Sequence, residues 1–525
     1  MTHPLDSLSN TPIASRSWRL RNLYTIRDAY GVLQPYQPNL SQRAFYNRRW
    51  YCNLVLKARK LGFSTHLEVE NLDALIFTPG LTAGIIDYKL EDAKTKLAML
   101  LLAWDHLDNG DLHPDTWRIG AAIKAAISLR RSAQRVELST GSYITCSTSH
   151  RGSSPNRLHL SELGKTSIWA PIKAKEILNG ALNSITPGNV VDSESTHEGG
   201  RAGIHYNLCQ TAMRNDDAHL TNVDFRFHFF AWWQDPRYTL QGNHPLRPTI
   251  IEYFAALTRE TGRTFTHGQM LWYDRKQLVQ GHGMKKEFPS TPGEAFEAIS
   301  EGAIYGKWMA DLRAAGRITD FGAEPHLSLF TFWDLGHSDY GVTWLIQPVG
   351  RAILVLDWHE RSGGNPSYWA DHVRRWEAKW NRPIARHFLP HDANSKGAVG
   401  VSFVGELNKA GVTNTTVVPR VPDVWLGIGY TKDVLPHCWF HATHCDTSRD
   451  LHGDPWDNNG EQYPSGVACL EGYHVNLTTA TLREMPEHDQ FSHSCDGFRT
   501  FAEAWRAGLV HAAADPHPQK PKALR

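Results

Sequence analysis

The sequence predicts an α/β chain with two successive sheets, the first largely parallel and covered by helices, the second opening on an antiparallel meander. Three observations predict it. Through the first half, short apolar runs alternate with amphipathic stretches, the pattern of strands joined by crossover helices. Beyond residue 325, three strand-like runs follow one another with only short turns between them. Between these halves lies a polar, helix-rich stretch, 245–316, and then a linker, 317–325.

In chain order, Cys52–Leu56 has the composition of a buried strand and Thr65–Ile76 that of the following helix. Ile85–Tyr88 is a second strand, followed by the helix Glu91–Trp104. Further strands are expected at Tyr143–Cys146, Leu158–Leu160 and Asn189–Asp192, and in the alternating run Asp224–Trp233. Helices are expected at Pro114–Arg130 and Trp169–Ser184, then at Ile250–Thr261 and Pro292–Ala315 in the polar stretch. The meander is Leu327–Leu335, Gly341–Pro348 and Arg351–Glu360, with Pro348-Val349-Gly350 as a hairpin turn. After it come the helix Pro366–Trp380, the strand Ile384–Leu389, the helix Ser402–Ala410, the strand Thr413–Val418 and a late helix, Asp496–Leu509. The expected division is an N-terminal arm at 1–30, a core domain at 31–244, a helical subdomain at 245–316, the linker, a second domain at 326–510 and a disordered tail at 511–525.

With 525 residues, 41% hydrophobic and 21% charged, the chain has ample material for packed cores and is not of disordered composition. Its start lacks the basic and apolar regions of a secretory signal, and the longest apolar run, Leu97–Trp104, falls well short of the ~20 residues that span a bilayer. A soluble intracellular protein without membrane partners is expected. Seven scattered cysteines fit reduced thiols better than a disulfide framework. The net charge of +1 does not mark a non-specific nucleic-acid binder, although basic residues from Arg16 to Lys60 face only Asp6 and Asp28.

Function therefore has to come from motifs. Leu54-Val55-Leu56-Lys57-Ala58-Arg59-Lys60-Leu61-Gly62-Phe63-Ser64-Thr65 reads as strand, tight loop and helix start, a geometry that aims backbone N–H groups at a phosphate. Laid on the P-loop pattern, Gly62 and Ser64 match its end, Phe63 stands where the lysine is usual, and Lys57 takes the first glycine position. Lys57 would then reach the phosphates from the other end of the loop, with Ser64 or Thr65 supplying a hydroxyl to Mg²⁺. Arg157-Leu158-His159-Leu160-Ser161-Glu162 is an apolar run ending in a small polar residue and a carboxylate, the place from which a Glu polarises the attacking water. Ser161 replaces the usual Asp. Val190-Val191-Asp192-Ser193-Glu194-Ser195-Thr196 is another strand ending in small hydroxyls, suited to sensing the phosphate state.

In the second half, Asp334 ends the first meander strand, Asp392 follows a later strand, and Asp496 opens the final helix. Three carboxylates gathered at one sheet edge repel one another unless cations separate them. Hard oxygen donors suit Mg²⁺ or Mn²⁺. A pair of such ions about 3.5–4 Å apart positions water and leaving oxygen in phosphodiester hydrolysis. Asp339 is a spare ligand, while Asp357 and Glu360 read as surface or turn residues.

Taken together these segments resemble the large terminase subunit of tailed bacteriophages, the ATP-driven motor that packages DNA into a capsid. Gln37-Pro38-Asn39-Leu40-Ser41-Gln42 resembles that family's adenine-contacting segment, with Gln42 as the contact. Lys57 to Thr65, including Arg59 and Gly62, is similar to its altered P-loop, and His159-Leu160-Ser161-Glu162 to its Walker B motif. Ser193-Glu194-Ser195-Thr196 resembles its coupling motif, with Ser195 and Thr196 in that role. Trp272-Tyr273, Lys286-Glu287-Phe288-Pro289-Ser290-Thr291-Pro292 and Ala295-Phe296 resemble the end of the motor domain, and the resemblance runs from Gln34 onward.

It implies an ASCE-type P-loop ATPase domain with a small helical subdomain, then an RNase H-like nuclease domain whose acids are Asp334, Asp392 and Asp496. It further implies ATP with one Mg²⁺ or Mn²⁺, two such ions in the nuclease, and as partners double-stranded DNA, the small terminase subunit, the procapsid portal and other copies in a ring. The place of action would be the host bacterial cytoplasm and, transiently, the portal vertex.

Arg151 has two readings, an arginine finger reaching a neighbour's ATP and a basic loop facing DNA or solvent. His437, Cys438, His441, His444 and Cys445 have donor types that suit Zn²⁺, but their spacing is also the buried stripe of an amphipathic helix. Two rival functions are a DNA helicase–nuclease of repair or mobile-element origin and an inactive structural docking protein.

Overall fold

The computed structural model describes residues 12–149, 154–182, 186–198, 200–201, 203–281, 283–297, 303–335, 340–394, 402–449, 454, 463–475 and 485–510. The chain splits into two compact units, Met1–Gly199 with Gly203–Ala298, and Gly200–Ala202 with Ile299–Arg525. The division falls ahead of the expected linker, so the helix Gly306–Ala314 and the residues of 317–325 belong to the second unit. Arg151, Asp339 and the tail 511–525 lie outside the described residues.

In the first unit, β1 (Thr25–Arg27) and β2 (Leu33–Pro35) form a small antiparallel ribbon. The main sheet contains β3 (Cys52–Lys57), β4 (Thr82–Ile86), β5 (Leu129–Arg131), β6 (Arg135–Leu138), β7 (Tyr143–Ser147), β8 (Arg157–Ser161), β9 (Val190–Ser195) and β10 (Phe225–Phe230). Their order is β10-β3-β9-β8-β4-β7-β6-β5. From β10 to β7 all neighbours are parallel, while β6 and β5 extend the edge antiparallel. Every residue of β3 and β8 is buried, as expected where helices cover both faces of a parallel sheet. One strand, β9, is inserted between the loop-bearing β3 and the carboxylate-bearing β8, the additional-strand arrangement of ASCE ATPases.

Three helices depart from expectation for visible reasons. The one predicted at Pro292–Ala315 is Pro292–Glu297 and Gly306–Ala314, with Ala303 between them bridged to His474 instead. The helix predicted at Pro114–Arg130 is Trp117–Ala126, because Leu129–Arg131 pairs with β6 instead. The one predicted at Trp169–Ser184 breaks at Ala170, which is held at φ −150° ahead of Pro171, where an α conformation is disfavoured. The helix Phe63–Phe77 carries the loop's C-terminal end, and a buried ion pair fastens it. Arg19 donates through Nε and Nη2 to Asp73 at 2.8 Å each, and Tyr24 adds a third bond to Asp73 at 2.7 Å.

The second unit has β11 (Ile318–Thr319), β12 (Leu329–Asp334), β13 (Tyr340–Val349), β14 (Ala352–Ser362), β15 (Ile384–Leu389), β16 (Thr415–Val417) and β17 (Cys438–His441). Their order is β11-β17-β14-β13-β12-β15-β16. The antiparallel meander β12–β13–β14 flanked by β15 and β16 parallel to β12 is the RNase H-like core, widened at the β14 edge by β17 and β11. On one face Trp369, Val373 and Trp376 of the helix Pro366–Trp380 pack with Trp333, Leu345 and Leu356. On the other, Phe498 and Phe501 of the helix Ser492–Arg506 pack with Phe332 and Trp344. Among the described residues no helix is long and apolar enough to cross a membrane.

The expected amphipathic stripe at 437–445 is corrected. Cys438–His441 is strand β17, which puts Cys438 and Phe440 in the core, and only Ala442–Cys445 is helical. The Cys438 thiol meets Val434 O and the Cys445 thiol meets Val355 O, both buried, while His441 and His444 stack on each other with ring centres 4.1 Å apart. Sulfur and imidazole do not converge.

Candidate functional site

The loop after β3 is shaped by two left-handed residues, Lys60 and Gly62, with φ of 59° and 78°. Gly62 suits the left-handed conformation, and a Cβ there would come within 2.9 Å of Gln42 Nε2 and push that amide aside. Among the described residues, the N–H groups of Lys60 to Thr65 donate to no protein acceptor. A run of free amides at a helix start is the cradle an anion needs.

Inside this cradle Glu194, on β9, is the hub. Its Oε2 lies 3.0 Å from Lys57 Nζ, and its Oε1 accepts from Ser64 Oγ at 2.8 Å and Ser161 Oγ at 3.0 Å. His159 Nε2 reaches the same oxygen at 3.3 Å, while its Nδ1 meets Glu68 at 2.6 Å. Burial opposes ionisation of Glu194, but Lys57 and His159 outweigh it and hold the carboxyl below the usual range. Burial likewise pushes the Lys57 ammonium down, and Glu194 and Glu162 more than reverse it, leaving Lys57 raised. Lys57, Ser64 and Ser161 thus meet at the Glu194 carboxylate, and Glu162 lies near enough to act on Lys57 through its charge.

Glu162 follows β8 in a left-handed conformation, φ 54° and ψ 38°, sparse territory for a residue with a side chain. Its carboxyl is desolvated, which pushes it up to about 7, with Lys57 and Lys96 opposing and Glu194 and Asp87 adding. Ser195 ties this turn to the end of β9 by accepting from Gly164 N at 3.0 Å, and its hydroxyl donates to Thr196 O. Any side chain at position 164 would meet Thr196 O at 2.2 Å, so the two segments touch backbone to backbone.

Other predicted residues are held elsewhere. The Gln42 amide donates to Gly62 O at 2.8 Å and accepts from Asn39 N at 2.9 Å and Tyr36 Oη at 3.3 Å, so it braces the loop instead of presenting a free amide to a base. Arg59 is exposed and pairs with Glu287 at 2.7 Å. The Thr65 hydroxyl turns to Met99 Sδ at 3.7 Å, leaving Ser64 as the hydroxyl at the centre. Sequence reasoning passed over Glu194 as a charge, and also the buried pair Lys96–Asp87, 2.5 Å apart beside the same centre.

In the second unit, Asp334 ends β12 and faces the helix Ser492–Arg506, where His493 Nδ1 lies 3.6 Å from its Oδ2. Asp496, one turn into that helix, pairs with Arg499 at 2.7 Å. Burial raises the Asp496 carboxyl, Arg499 opposes, and Asp334 adds to the rise. Asp392 lies in the turn after β15, and its Oδ1 is buried with no hydrogen-bond partner among the described residues. Also among the described residues, no three His, Cys, Asp or Glu side chains are drawn together into a ready metal cage. His493 and Arg499 hold two of the carboxylates instead.

Glu360 and Asp357 are not surface or turn residues. A β-bulge in β14 at Leu356 shifts the alternation, so Asp357 points to Lys379 at 2.6 Å and Glu360 to the face carrying Asp334. Asp334, Val342 and Glu360 occupy one rung across β12, β13 and β14. Glu360 is buried, accepts from Ser494 Oγ, and is pushed up to about 7 by burial, with Ser494 and His493 opposing and Asp334 adding.

No protein-family model and no curated protein matches the chain. Among solved structures it is similar to the large terminase of the thermophilic bacteriophage D6E, at 10% identity and a TM-score of 0.29 over 86% of this chain and 93% of that one. One of the phage D6E structures is a complex with ATP-γ-S. It is also similar to the large terminase ATPase domain of Thermus phage P74-26, at 15% identity and a TM-score of 0.31 over 48% of this chain and 93% of that one. A third is the large terminase nuclease of thermophilic phage G20c, at 12% identity and a TM-score of 0.25 over 39% and 98%. These three solved structures are large terminases or domains of them, the family that the motifs of this chain resemble.

Proposed function

We propose that this chain is a viral DNA-packaging motor, a large terminase subunit that hydrolyses ATP to move double-stranded DNA and cuts concatemeric DNA with a metal-dependent nuclease. The observation that carries the reading is the pairing, in one chain, of a Lys57–Ser64–Glu162 centre at a P-loop with an acid-bearing RNase H-like sheet.

In the first unit, the free amides of Lys60 to Thr65 bind the phosphates and Lys57 neutralises their charge. Ser64 is the hydroxyl available to the nucleotide's Mg²⁺ or Mn²⁺. Glu162, poised by desolvation near neutrality, takes the proton of the attacking water. Ser195 and Thr196, bonded to the turn that holds Glu162, carry the change at the phosphates to the end of β9.

In the second unit, Asp334, Asp392 and Asp496 are the oxygen donors for divalent cations, and the unpartnered Asp392 Oδ1 fits that use. Bound Mg²⁺ or Mn²⁺ would supply Lewis acidity and a water of lowered pKa. His493 and Glu360 keep the Asp334 face polar and ordered. Partners are duplex DNA, a small terminase subunit, a procapsid portal and further copies of this chain in a ring.

The test is a translocation assay with purified full chain on blunt linear duplex carrying a triplex-forming third strand. ATP-dependent displacement of the third strand with the duplex intact is expected. Separation of the two duplex strands would favour the helicase–nuclease reading instead, and absence of ATP turnover the docking-protein reading.

A further inference from the structure

We propose that Glu194 supplies the carboxylate toward the nucleotide's divalent cation that a Walker B strand ordinarily carries at its own end. This rests on the ATP-site reading above and names a ligand that reading leaves open. P-loop NTPases hold Mg²⁺ with the loop Ser/Thr and a Walker B Asp. Here β8 ends in Ser161, which carries no charge, so the cation would lack its anionic protein partner.

The sheet order provides the replacement. β9 lies between β3 and β8, and Glu194 shares a rung with Val55 on one side and Ser161 on the other. Its Oε1 therefore stands between the two hydroxyls, 2.8 Å from Ser64 Oγ and 3.0 Å from Ser161 Oγ. A carboxylate one strand over, reaching to the P-loop hydroxyl, occupies the position the missing Asp side chain would serve. Ser161 becomes a positioning residue that orients Glu194, and Glu162 stays free for water. Within the described hydrogen bonds Glu194 joins every group of the centre, whereas Glu162 contacts it only through its backbone, donating N–H to Glu194 O at 3.0 Å.

Binding measurements test this without relying on turnover. A fluorescent ATP analogue is titrated into the full chain in EDTA and in Mg²⁺, and Mn²⁺ bound with ADP is read by electron paramagnetic resonance. The wild type should bind in EDTA and gain at least 10-fold with Mg²⁺. Glu194→Gln should keep EDTA binding within about threefold and lose the Mg²⁺ gain and the nucleotide-dependent Mn²⁺ signal. The double variant Glu194→Gln with Ser161→Asp, which preserves the charge facing Lys57 and so guards against misfolding, should recover both. A full Mg²⁺ gain in Glu194→Gln, or no recovery in the folded double variant, would overturn the proposal while leaving the ATP site standing. Failure of the wild type to bind nucleotide under either condition would overturn the ATP site itself and the proposal with it.

Discussion

Lys57 and Glu194 form an ion pair, Nζ to Oε2 at 3.0 Å, between neighbouring parallel strands and shut off from solvent. Two opposite charges are taken out of water here at a desolvation cost, which their attraction and the bonds of Glu194 to Ser64, Ser161 and His159 offset. The lysine stands at the start of the loop and not in the place Phe63 occupies, and Phe63 is instead core, packed edge-on to Phe45.

Lys57→Ala is therefore expected to reduce ATP turnover on the order of 10²–10³-fold, the usual loss when one preorganised charge donor is removed. Circular dichroism should report a folded protein at room temperature with a lowered thermal midpoint, because Glu194 loses its ion-pair partner. Turnover within a few-fold of wild type would mean another group neutralises the phosphates.

Glu162→Gln should lower hydrolysis roughly 10²–10⁴-fold, as for loss of a general base, while ATP still binds. Because Glu162 lies in the first unit and the Asp residues in the second, DNA cleavage should be unaffected. Turnover is read by phosphate release and binding by a nucleotide titration on the same protein.

Asp73→Ala should destabilise the first unit by about 3–5 kcal/mol, because it leaves the buried Arg19 guanidinium and Tyr24 hydroxyl without their partner. Urea unfolding followed by tryptophan fluorescence measures it. Replacing the whole group, Arg19→Met and Tyr24→Phe with Asp73→Leu, should recover most of the loss.

Stability should also fall with pH. Burial holds the His66 imidazole down at about 4, against Glu70 and together with Arg49 and Arg16. The folded state thus binds its proton less readily than the unfolded chain, so this contribution is complete above about pH 6.5 and is lost as pH falls toward 4. Between pH 7 and pH 5 the loss is roughly 2 kcal/mol for this one group. In His66→Gln, which keeps a hydrogen-bonding partner for Tyr36, the fall in thermal midpoint over that range should be smaller.

Much of this architecture is legible in the residues, and where it is not the reasons are local. The apolar runs around Leu54–Leu56 and Leu158–Leu160 are buried strands because both faces of the sheet are covered. The helix His267–Gln280 went unread although Thr266 and Gln269 form a capping box that announces it. Glu360 was obscured by the bulge at Leu356, since strict alternation would have turned it away from Asp334. Glu194 was hidden because it lies within a strand between two serines, and only the strand order β3-β9-β8 reveals what it stands between. Gln42 has the motif of a base contact, yet its Oε1 closes a capping box with Asn39 N and its Nε2 donates to Gly62 O.

The central claim, that one chain carries an ATPase and a separate metal-dependent nuclease, is tested most directly by cleavage of supercoiled plasmid in Mn²⁺ by wild type, Asp392→Asn and Glu162→Gln. The account predicts nicking and linearisation by wild type and by Glu162→Gln, abolition by EDTA, and loss of at least 10²-fold in Asp392→Asn with its ATP turnover intact. Cleavage that persists in Asp392→Asn, or that proceeds in EDTA, would contradict it.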